Sequence, residues 1–229
     1  MTHLESFSTI YQRACERKGG ETSLESLLEP VGSASAIAQL PENRLLSALS
    51  KKVFQSGFVW RIVESKWPAY EQAFFNFEPM KVLMLSPEQW QARASDPTLI
   101  RHYKKTLAIY DNALMMEEFR LEQGGLPQII SDWPEDDIIG LWALLKSKGT
   151  RLGGNTGPYF LRSIGKPTFL LTNDIKGYFK THQLIDYGFT SQSGLKQVQA
   201  VFNHWQQESG RNLSTLSRIL AMSVGDNRV

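Results

Sequence analysis

A single carboxylate, Asp174, follows a glycine turn at a short interval, and the two together indicate chemistry on a phosphate-bearing ligand. The turn contains Gly153 and Gly154, and Asp174 lies 18 residues after Thr156. Glycines let a backbone approach a ligand closely, and successive amides ahead of a helix N-terminus form a nest that binds an anion such as a phosphate diester. A carboxylate at such a site can stabilise a developing positive charge or activate water.

Two predicted helices flank the glycine turn. Apolar residues recur at helical spacing over residues 136–148, and this first helix ends at Gly149. Thr156 is the predicted N-cap of a second helix, which Gly165 stops. The sequence therefore predicts a helix-hairpin-helix element over about residues 136–165.

The charge around this element has one sign. No Asp or Glu occurs from residue 138 to residue 173. The basic residues of this stretch are Lys146, Lys148, Arg151, Arg162 and Lys166. Positive charge around an amide nest favours a nucleic-acid backbone over a neutral ligand. The alternative is a packing corner between two helices, with glycines for closeness and a solvated basic face.

The rest of the chain predicts an all-α protein. Helices are expected over residues 4–17, 41–55, 67–77, 103–122, 194–208 and 213–222, with 168–171 as an extended piece. With 41% hydrophobic residues and no linker-like stretch, residues 1–229 are expected to form one unit.

Composition excludes several classes. A single cysteine, Cys15, rules out a disulfide framework and a four-thiolate iron-sulfur cluster. The N-terminal stretch lacks the apolar core of a signal peptide, and no stretch approaches the length of a membrane span, so we expect a cytoplasmic protein with no membrane contact. The net charge of +2 is too small to argue for nucleic acid by itself. A monomer is expected.

The run RLGGNTGPYFL with the downstream Asp174 resembles the helix-hairpin-helix DNA glycosylases. That resemblance implies two helical lobes with a cleft between them, duplex DNA with a damaged base as partner, and Asp174 as the catalytic carboxylate. It also implies that the hairpin grips a phosphate, and leaves open an alkali ion at the hairpin carbonyls. The expected DNA-contacting residues here are Arg151, Gly153, Gly154 and Thr156. Arg151 departs from the pattern, because it occupies the place of the first hairpin glycine.

A second resemblance lies elsewhere in the chain. The segments QSGFVWRIVESKWPAYEQAFFNFEP (55–79) and IRHYKKTLAIYDNA (100–113) are similar, in order and spacing, to the DNA-3-methyladenine glycosylase I family. This implies that Trp60 stacks on the extruded base and that Gln55 reads its edge. The further expected pocket residues are Phe54, Phe58 and Tyr70, and core packing is the alternative for each aromatic side chain. The expected DNA-facing residues are Arg101, His102 and Lys105, with a solvated helix start as their alternative.

The chain departs from that family at three points. The family holds a structural zinc with cysteines and histidines, a set that one cysteine cannot supply, so no metal is expected. The family has a glutamate eight residues before its pocket tryptophan, where this chain has Lys52. A lysine repels a cationic alkylated base, so either another acid acts or the substrate differs. Asp174 is present although the family generally lacks the superfamily aspartate.

These observations predict a DNA repair glycosylase that acts on a flipped, alkylated base. Bifunctional relatives use a lysine immediately before the hairpin threonine to form a Schiff base, and here that position is Asn155. A monofunctional enzyme that leaves an abasic site is therefore expected. The alternatives are a non-catalytic duplex DNA-binding protein that keeps the hairpin grip, and an interaction scaffold without a DNA role.

Overall fold

The structure, a computed structural model, describes residues 4–28 and 30–225, and the regular elements within these ranges are helices. The α-helices are α1 Phe7–Lys18, α2 Glu21–Ser26, α3 Ala34–Ala38, α4 Glu42–Gln55, α5 Trp60–Ala73, α6 Pro79–Leu83, α7 Pro87–Ser95, α8 Tyr103–Gln123, α9 Leu126–Asp132, α10 Ile138–Lys148, α11 Thr156–Ser163, α12 Asn173–Thr181, α13 Gln192–Ser209 and α14 Leu213–Val224. Two 3₁₀ turns occupy Phe75–Phe77 and Glu135–Asp137. The predicted all-α class is confirmed.

The prediction for α5 was wrong in its start. The helix begins at Trp60, whereas the sequence predicted a start at Trp67. Pro68 lies inside the helix instead, and the carbonyl it leaves without a partner belongs to Glu64, an exposed residue that water can reach. Trp60 is therefore the first residue of α5.

The chain divides into two compact units whose segments alternate along the sequence. The terminal unit takes the two ends of the chain together with Pro134–Gly140. The central unit takes Gly32–Trp133 and Leu141–Lys166. Because the chain alternates between the units, neither is a contiguous domain. The cleft implied by the resemblance stays a prediction.

In the terminal unit, α1 packs against α13 and α14. The backbone amide of Phe7 donates to Glu208 Oε1 at 2.9 Å, and Trp205 Nε1 donates to the carbonyl of Glu5 at 3.0 Å. The fully buried Trp205 and Phe202 lie at the centre of this core. Residues separated by some two hundred positions in sequence thus form one core.

The segment predicted as extended, residues 168–171, is non-helical as expected, but it forms no strand. Its amides bind side chains of α14 instead. Thr168 N–H donates to Ser214 Oγ and Leu170 N–H donates to Ser217 Oγ, both at 3.0 Å. These bonds satisfy the buried backbone and fix the segment that leads into α12.

The central unit is built on α4, which packs against α5, α8 and α11. Its core is a run of stacked aromatic rings on α5 and the turn after it. The ring centroids of Trp67 and Tyr70 lie 4.9 Å apart, and those of Trp67 and Phe77 lie 5.3 Å apart. Within the described ranges, none of the helices is both long and apolar enough to cross a membrane.

Candidate nucleic-acid interface

The hairpin turn lies between α10 and α11 in the central unit and is closed by its own backbone. Gly157 N–H donates to the carbonyl of Leu152 at 3.1 Å, and Thr156 N–H donates to that of Gly153 at 3.3 Å. The predicted capping role of Thr156 was wrong: α11 begins at Thr156, and Asn155 occupies the N-cap position. Thr156 is 9% exposed, so its side chain belongs mainly to the packing of the turn.

Two glycines of this region are required by internal packing. A Cβ on Gly149 would lie 2.4 Å from Leu152 Cδ1, and a Cβ on Gly157 would lie 2.9 Å from the carbonyl oxygen of Leu152. Gly153 and Gly154 are not required by packing in this way. A Cβ on Gly153 would make an ordinary 3.5 Å contact with Lys146 Cγ, and one on Gly154, at φ +61°, would meet no atom within 4 Å. Packing within the protein therefore does not explain a glycine at position 153.

The amide N–H groups of Gly153 and Gly154 have no hydrogen-bond acceptor among the described residues. Both precede the N-terminus of α11, where the helix dipole favours negative charge. Amides that are unpaired, sterically open and backed by a helix form the kind of nest that binds a phosphate oxygen.

Arg151 adopts a backbone conformation that favours glycine. Its φ is +66°, in the left-handed region that glycine occupies at no steric cost. For a residue with a Cβ this conformation costs about 1–2 kcal/mol. The side chain is exposed. The chain thus keeps a cation at the turn despite backbone strain.

We expect Arg151→Gly and Arg151→Ala to separate strain from charge. Glycine removes both the strain and the cation, so it should raise the free energy of unfolding by up to about 1 kcal/mol relative to the alanine variant. Both variants should lower the salt slope of duplex binding by about one unit if Arg151 neutralises a phosphate. Urea unfolding and salt titrations of binding measure the two effects. If the glycine variant is less stable than the alanine variant, the interpretation that the backbone at position 151 is strained is wrong.

A buried asparagine on α8 holds the hairpin in place. Asn112 is fully buried; its Nδ2 donates to the carbonyl of Thr150 at 3.1 Å, and its Oδ1 accepts from the amide of Thr150 at 2.8 Å. This pair of bonds satisfies both backbone groups of one turn residue. The orientation of the nest is therefore set by α8 as well as by the two hairpin helices.

The surface beside the turn is basic. Lys146, Lys148 and Arg151 are exposed, and the sequence has no acid from residue 138 to residue 173. Lys166 is an exception, because it is 4% exposed and its ammonium donates to the carbonyls of Ser131 and Trp133. The expectation that Lys166 adds to a surface charge is corrected accordingly.

Lys105 is also buried, which corrects its predicted DNA contact. It is 5% exposed, and its ammonium donates to the carbonyls of Phe54 and Ser56 at the end of α4. It also lies 4.5 Å from the ring centroid of Phe58. Burial, with a smaller contribution from the charge of Arg151, lowers the pKa of Lys105 to about 8. Lys105 thus holds the loop that leads to α5.

The other two residues of this group lie where a DNA contact is feasible. Arg101 is exposed in the loop before α8. His102 is the N-cap of α8, and its Nδ1 accepts from the amide of Lys105 at 3.3 Å. Tyr70 fixes the start of this loop, because its hydroxyl accepts from the amide of Ile100 at 3.1 Å. DNA contact by Arg101 and His102 stays a prediction.

An exposed aromatic pair joins α5 to the hairpin. Trp60, 43% exposed, meets Tyr159 of α11 edge to face, with ring centroids 5.2 Å apart. Lys52 Nζ lies 4.9 Å from the centroid of the Trp60 ring. We call Trp60, Tyr159 and Lys52, with Gln55 and Glu64 described next, the aromatic site.

Gln55 connects two charges within the aromatic site. Its Oε1 accepts from Lys52 Nζ at 2.9 Å and its Nε2 donates to Glu64 Oε1 at 3.2 Å. Burial, and secondarily the charge of Lys51, lowers the pKa of Lys52, while Glu64 opposes the shift. At 2% exposure, Gln55 is held by these contacts. Its reading of a base edge stays a prediction.

The remaining predicted pocket residues separate into core and surface. Phe54 and Tyr70 are fully buried, and their ring centroids lie 4.8 Å apart in the aromatic core. Their surroundings therefore match core packing, which was the alternative to a pocket role for both residues. Phe58 is 37% exposed and lies 6.1 Å from the His102 ring, centroid to centroid. The surface-accessible predicted aromatics are therefore Phe58 and Trp60.

Asp174 lies in the terminal unit, in the first turn of α12, and is half-buried. It does not cap the helix, because Thr172 Oγ1 accepts from the amide of Ile175 at 3.3 Å. A Cβ added to Gly225 would lie 2.6 Å from Asp174 Oδ2. Since Gly225 has φ −78°, which any residue adopts, a larger residue there would be opposed by the Asp174 carboxylate and not by the backbone conformation. The catalytic role of Asp174 stays a prediction.

Three contributors were absent from the sequence-based predictions: Asn112, Tyr159 and Glu64. One signal was available for the first. Lys105, Ile109, Asn112 and Met116 lie on one helical stripe, and all are buried. A polar residue at an apolar stripe position indicates a buried hydrogen bond, so this spacing could have identified both Lys105 and Asn112.

Residues 36–143 match the methyladenine glycosylase family, just under half of the chain. The matched stretch contains the aromatic residues of α5 and Asn112 but ends before the hairpin turn and before Asp174. The chain is also similar to DNA-3-methyladenine glycosylase 1 of Escherichia coli (strain K12), with 33% identity over 92 residues that cover 37% of this chain and 48% of the relative. The chain thus spans about half the length of this relative.

Two solved structures are similar in fold. One is a 3-methyladenine DNA glycosylase I from Staphylococcus aureus, determined to explain recognition of 3-methyladenine, with 24% identity, a TM-score of 0.49, and coverage of 60% of this chain and 79% of that chain. The other is a solution structure of 3-methyladenine DNA glycosylase I, with 18% identity, a TM-score of 0.47, and coverage of 69% and 86%.

Proposed function

We propose that this chain, which resembles the methyladenine glycosylase family over residues 36–143, is a DNA glycosylase that hydrolyses the N-glycosidic bond of a damaged base in duplex DNA. One observation carries the proposal. Helix α11 has the open amides of Gly153 and Gly154 at its N-terminus and presents Tyr159 to the exposed Trp60 one turn later. A phosphate nest at the start of α11, with an aromatic surface beside the same helix, suits a nucleotide whose base has left the stack.

The binding steps follow from this arrangement. A base inside a duplex is inaccessible, so the nucleotide must be extruded at a cost of about a few kcal/mol, which a damaged or mispaired base reduces. The hairpin amides and Arg151 hold the backbone without reading sequence. Trp60 offers a π-face to the extruded base, and base–aromatic stacking contributes about 1–3 kcal/mol per base.

A carboxylate can assist the chemical step. As the glycosidic bond stretches, positive charge develops on the deoxyribose, and an anion beside it stabilises that charge while orienting or deprotonating the attacking water. We assign this role to Asp174. Asn155, at the position of the lyase lysine, has an amide that forms no Schiff base, so the product is an abasic site in an unbroken strand. An alkali ion at the hairpin carbonyls remains a separate prediction, and the proposed chemistry uses no zinc.

The test is a screen of the purified chain against duplexes that each carry one damaged base. We expect chromatography to detect a released base, borohydride to trap no protein–DNA adduct, and strands to break only after alkali treatment. Trapping through any lysine would overturn the monofunctional assignment. Salt-dependent duplex binding without base release would favour the non-catalytic DNA-binding alternative instead. If the chain binds no duplex at all, the interaction scaffold is the alternative that is favoured.

A further inference from the structure

The ammonium of Lys52 is part of the surface on which an extruded base would stack. Its Nζ lies 4.9 Å from the centroid of the Trp60 ring, and one of its protons goes to Gln55 Oε1 at 2.9 Å. An ammonium carries three donors, so further protons are available to a ligand. A base on Trp60 therefore meets a fixed positive charge.

The neighbouring carboxylate of Glu64 is not paired directly with this ammonium. Glu64 accepts from Gln55, and no salt bridge joins Glu64 to Lys52 among the described residues. Lys51 lies outside the aromatic site, with its Nζ 5.3 Å from the centroid of the Trp67 ring. Glu64 is held by the amide of Gln55, so the charged group that faces the Trp60 ring is the ammonium of Lys52.

Charge of this sign discriminates among damaged bases. Alkylation at a ring nitrogen, as in 7-methylguanine, makes the base cationic within DNA, and like charges at stacking distance repel more strongly where water is excluded. An uncharged base with a carbonyl oxygen or ring nitrogen at its edge instead accepts a hydrogen bond, as guanine O6 and N7 accept from lysine.

We propose that Lys52 makes the aromatic site selective for an uncharged damaged base that presents a hydrogen-bond acceptor, and selects against cationic alkylated bases. The substrate class then includes deaminated bases such as hypoxanthine and alkylated bases that stay neutral, such as 1,N6-ethenoadenine. This inference rests on the proposed function and narrows its substrate.

The experiment uses duplexes that differ only in one base: hypoxanthine, 1,N6-ethenoadenine or 7-methylguanine. Single-turnover base release and the dissociation constant from fluorescence anisotropy are measured for the unmodified chain, Lys52→Met, Lys52→Arg and Lys51→Met. Methionine keeps much of the length of the side chain on Trp60 without its charge. Lys51→Met removes the same charge from the adjacent position and is the matched control.

We expect the unmodified chain to favour the neutral bases, and Lys52→Met to lower the neutral-to-cationic ratio at least 10-fold. Lys52→Arg should retain the preference, and Lys51→Met should change the ratio less than 2-fold. A ratio unchanged in Lys52→Met, or an unmodified chain that prefers 7-methylguanine, would overturn the inference. Discrimination in binding without release of any base would contradict the proposed function but support the selectivity of Lys52.

Discussion

Replacing Asp174 with asparagine is expected to slow single-turnover base release by about 10²- to 10⁴-fold, the usual contribution of a positioned acid or base. Asparagine is nearly isosteric but carries no charge to stabilise the glycosyl cation. Duplex affinity should change little, because a loss confined to the transition state lowers the rate without lowering binding. A small loss of stability is also expected, about 0.3–1 kcal/mol, because the anion lies in the first turn of α12.

Two companion variants test whether the slower base release results from the loss of the Asp174 carboxylate. Asp186→Asn removes the same charge from an exposed residue of the terminal unit and should leave the rate unchanged. Gly225→Ala keeps the carboxylate but introduces a Cβ 2.6 Å from Asp174 Oδ2, so it should displace Asp174 and slow base release as well. A near-normal rate for Asp174→Asn would remove this residue from the mechanism.

Gly153→Val is expected to weaken binding of damaged and undamaged duplex by the same factor, about 10- to 10²-fold. The estimate assumes that one charge-assisted hydrogen bond to phosphate, worth about 1.5–3 kcal/mol, is lost. Equal loss is expected because a backbone–phosphate contact carries no base information. Fluorescence anisotropy titrations of a damaged and an otherwise identical undamaged duplex measure the two losses of affinity.

The structure indicates that this variant can fold. The Cβ at position 153 would make only an ordinary contact with the stem of Lys146, whereas substitution of Gly149 or Gly157 would meet atoms closer than 3.0 Å. Gly188→Val is the control, since a Cβ at Gly188 meets no atom within 4 Å. Normal duplex affinity of a folded Gly153→Val would mean that the hairpin is only a packing corner, and the glycosylase proposal would lose its main local support.

The sequence predicted the helical class, the hairpin and most long helices, because these depend on local periodicity and on glycine stops. The start of α5 was not predicted, because a proline is disfavoured inside a helix, and the exposure of Glu64, whose carbonyl Pro68 leaves without a partner, is a property of the folded chain. The short helices α2, α3, α6, α7 and α9 lack enough turns for a clear apolar period.

The candidate site was less predictable for a physical reason. Lysines are almost always exposed, so composition places Lys105 and Lys166 at the surface, and only the three-dimensional position of backbone carbonyls explains their burial. Likewise, no local signal separates Gly153 from Gly157. The difference appears only when the carbonyl of Leu152 is placed beside one and the stem of Lys146 beside the other.

The alternation of the two units along the chain has a consequence for biosynthesis. A ribosome completes the segments of the central unit, and with them the hairpin, when residue 166 has emerged. Helix α1 is made long before α13 and α14, so its buried Phe7, Ile10 and Ala14 gain their partners on those helices only after they have been synthesised. Until then α1 can pack against α2 but not against α13 or α14, and its remaining apolar surface is open to chaperone binding or aggregation. The central unit, with its hairpin, is therefore synthesised before the last helices of the unit that carries Asp174.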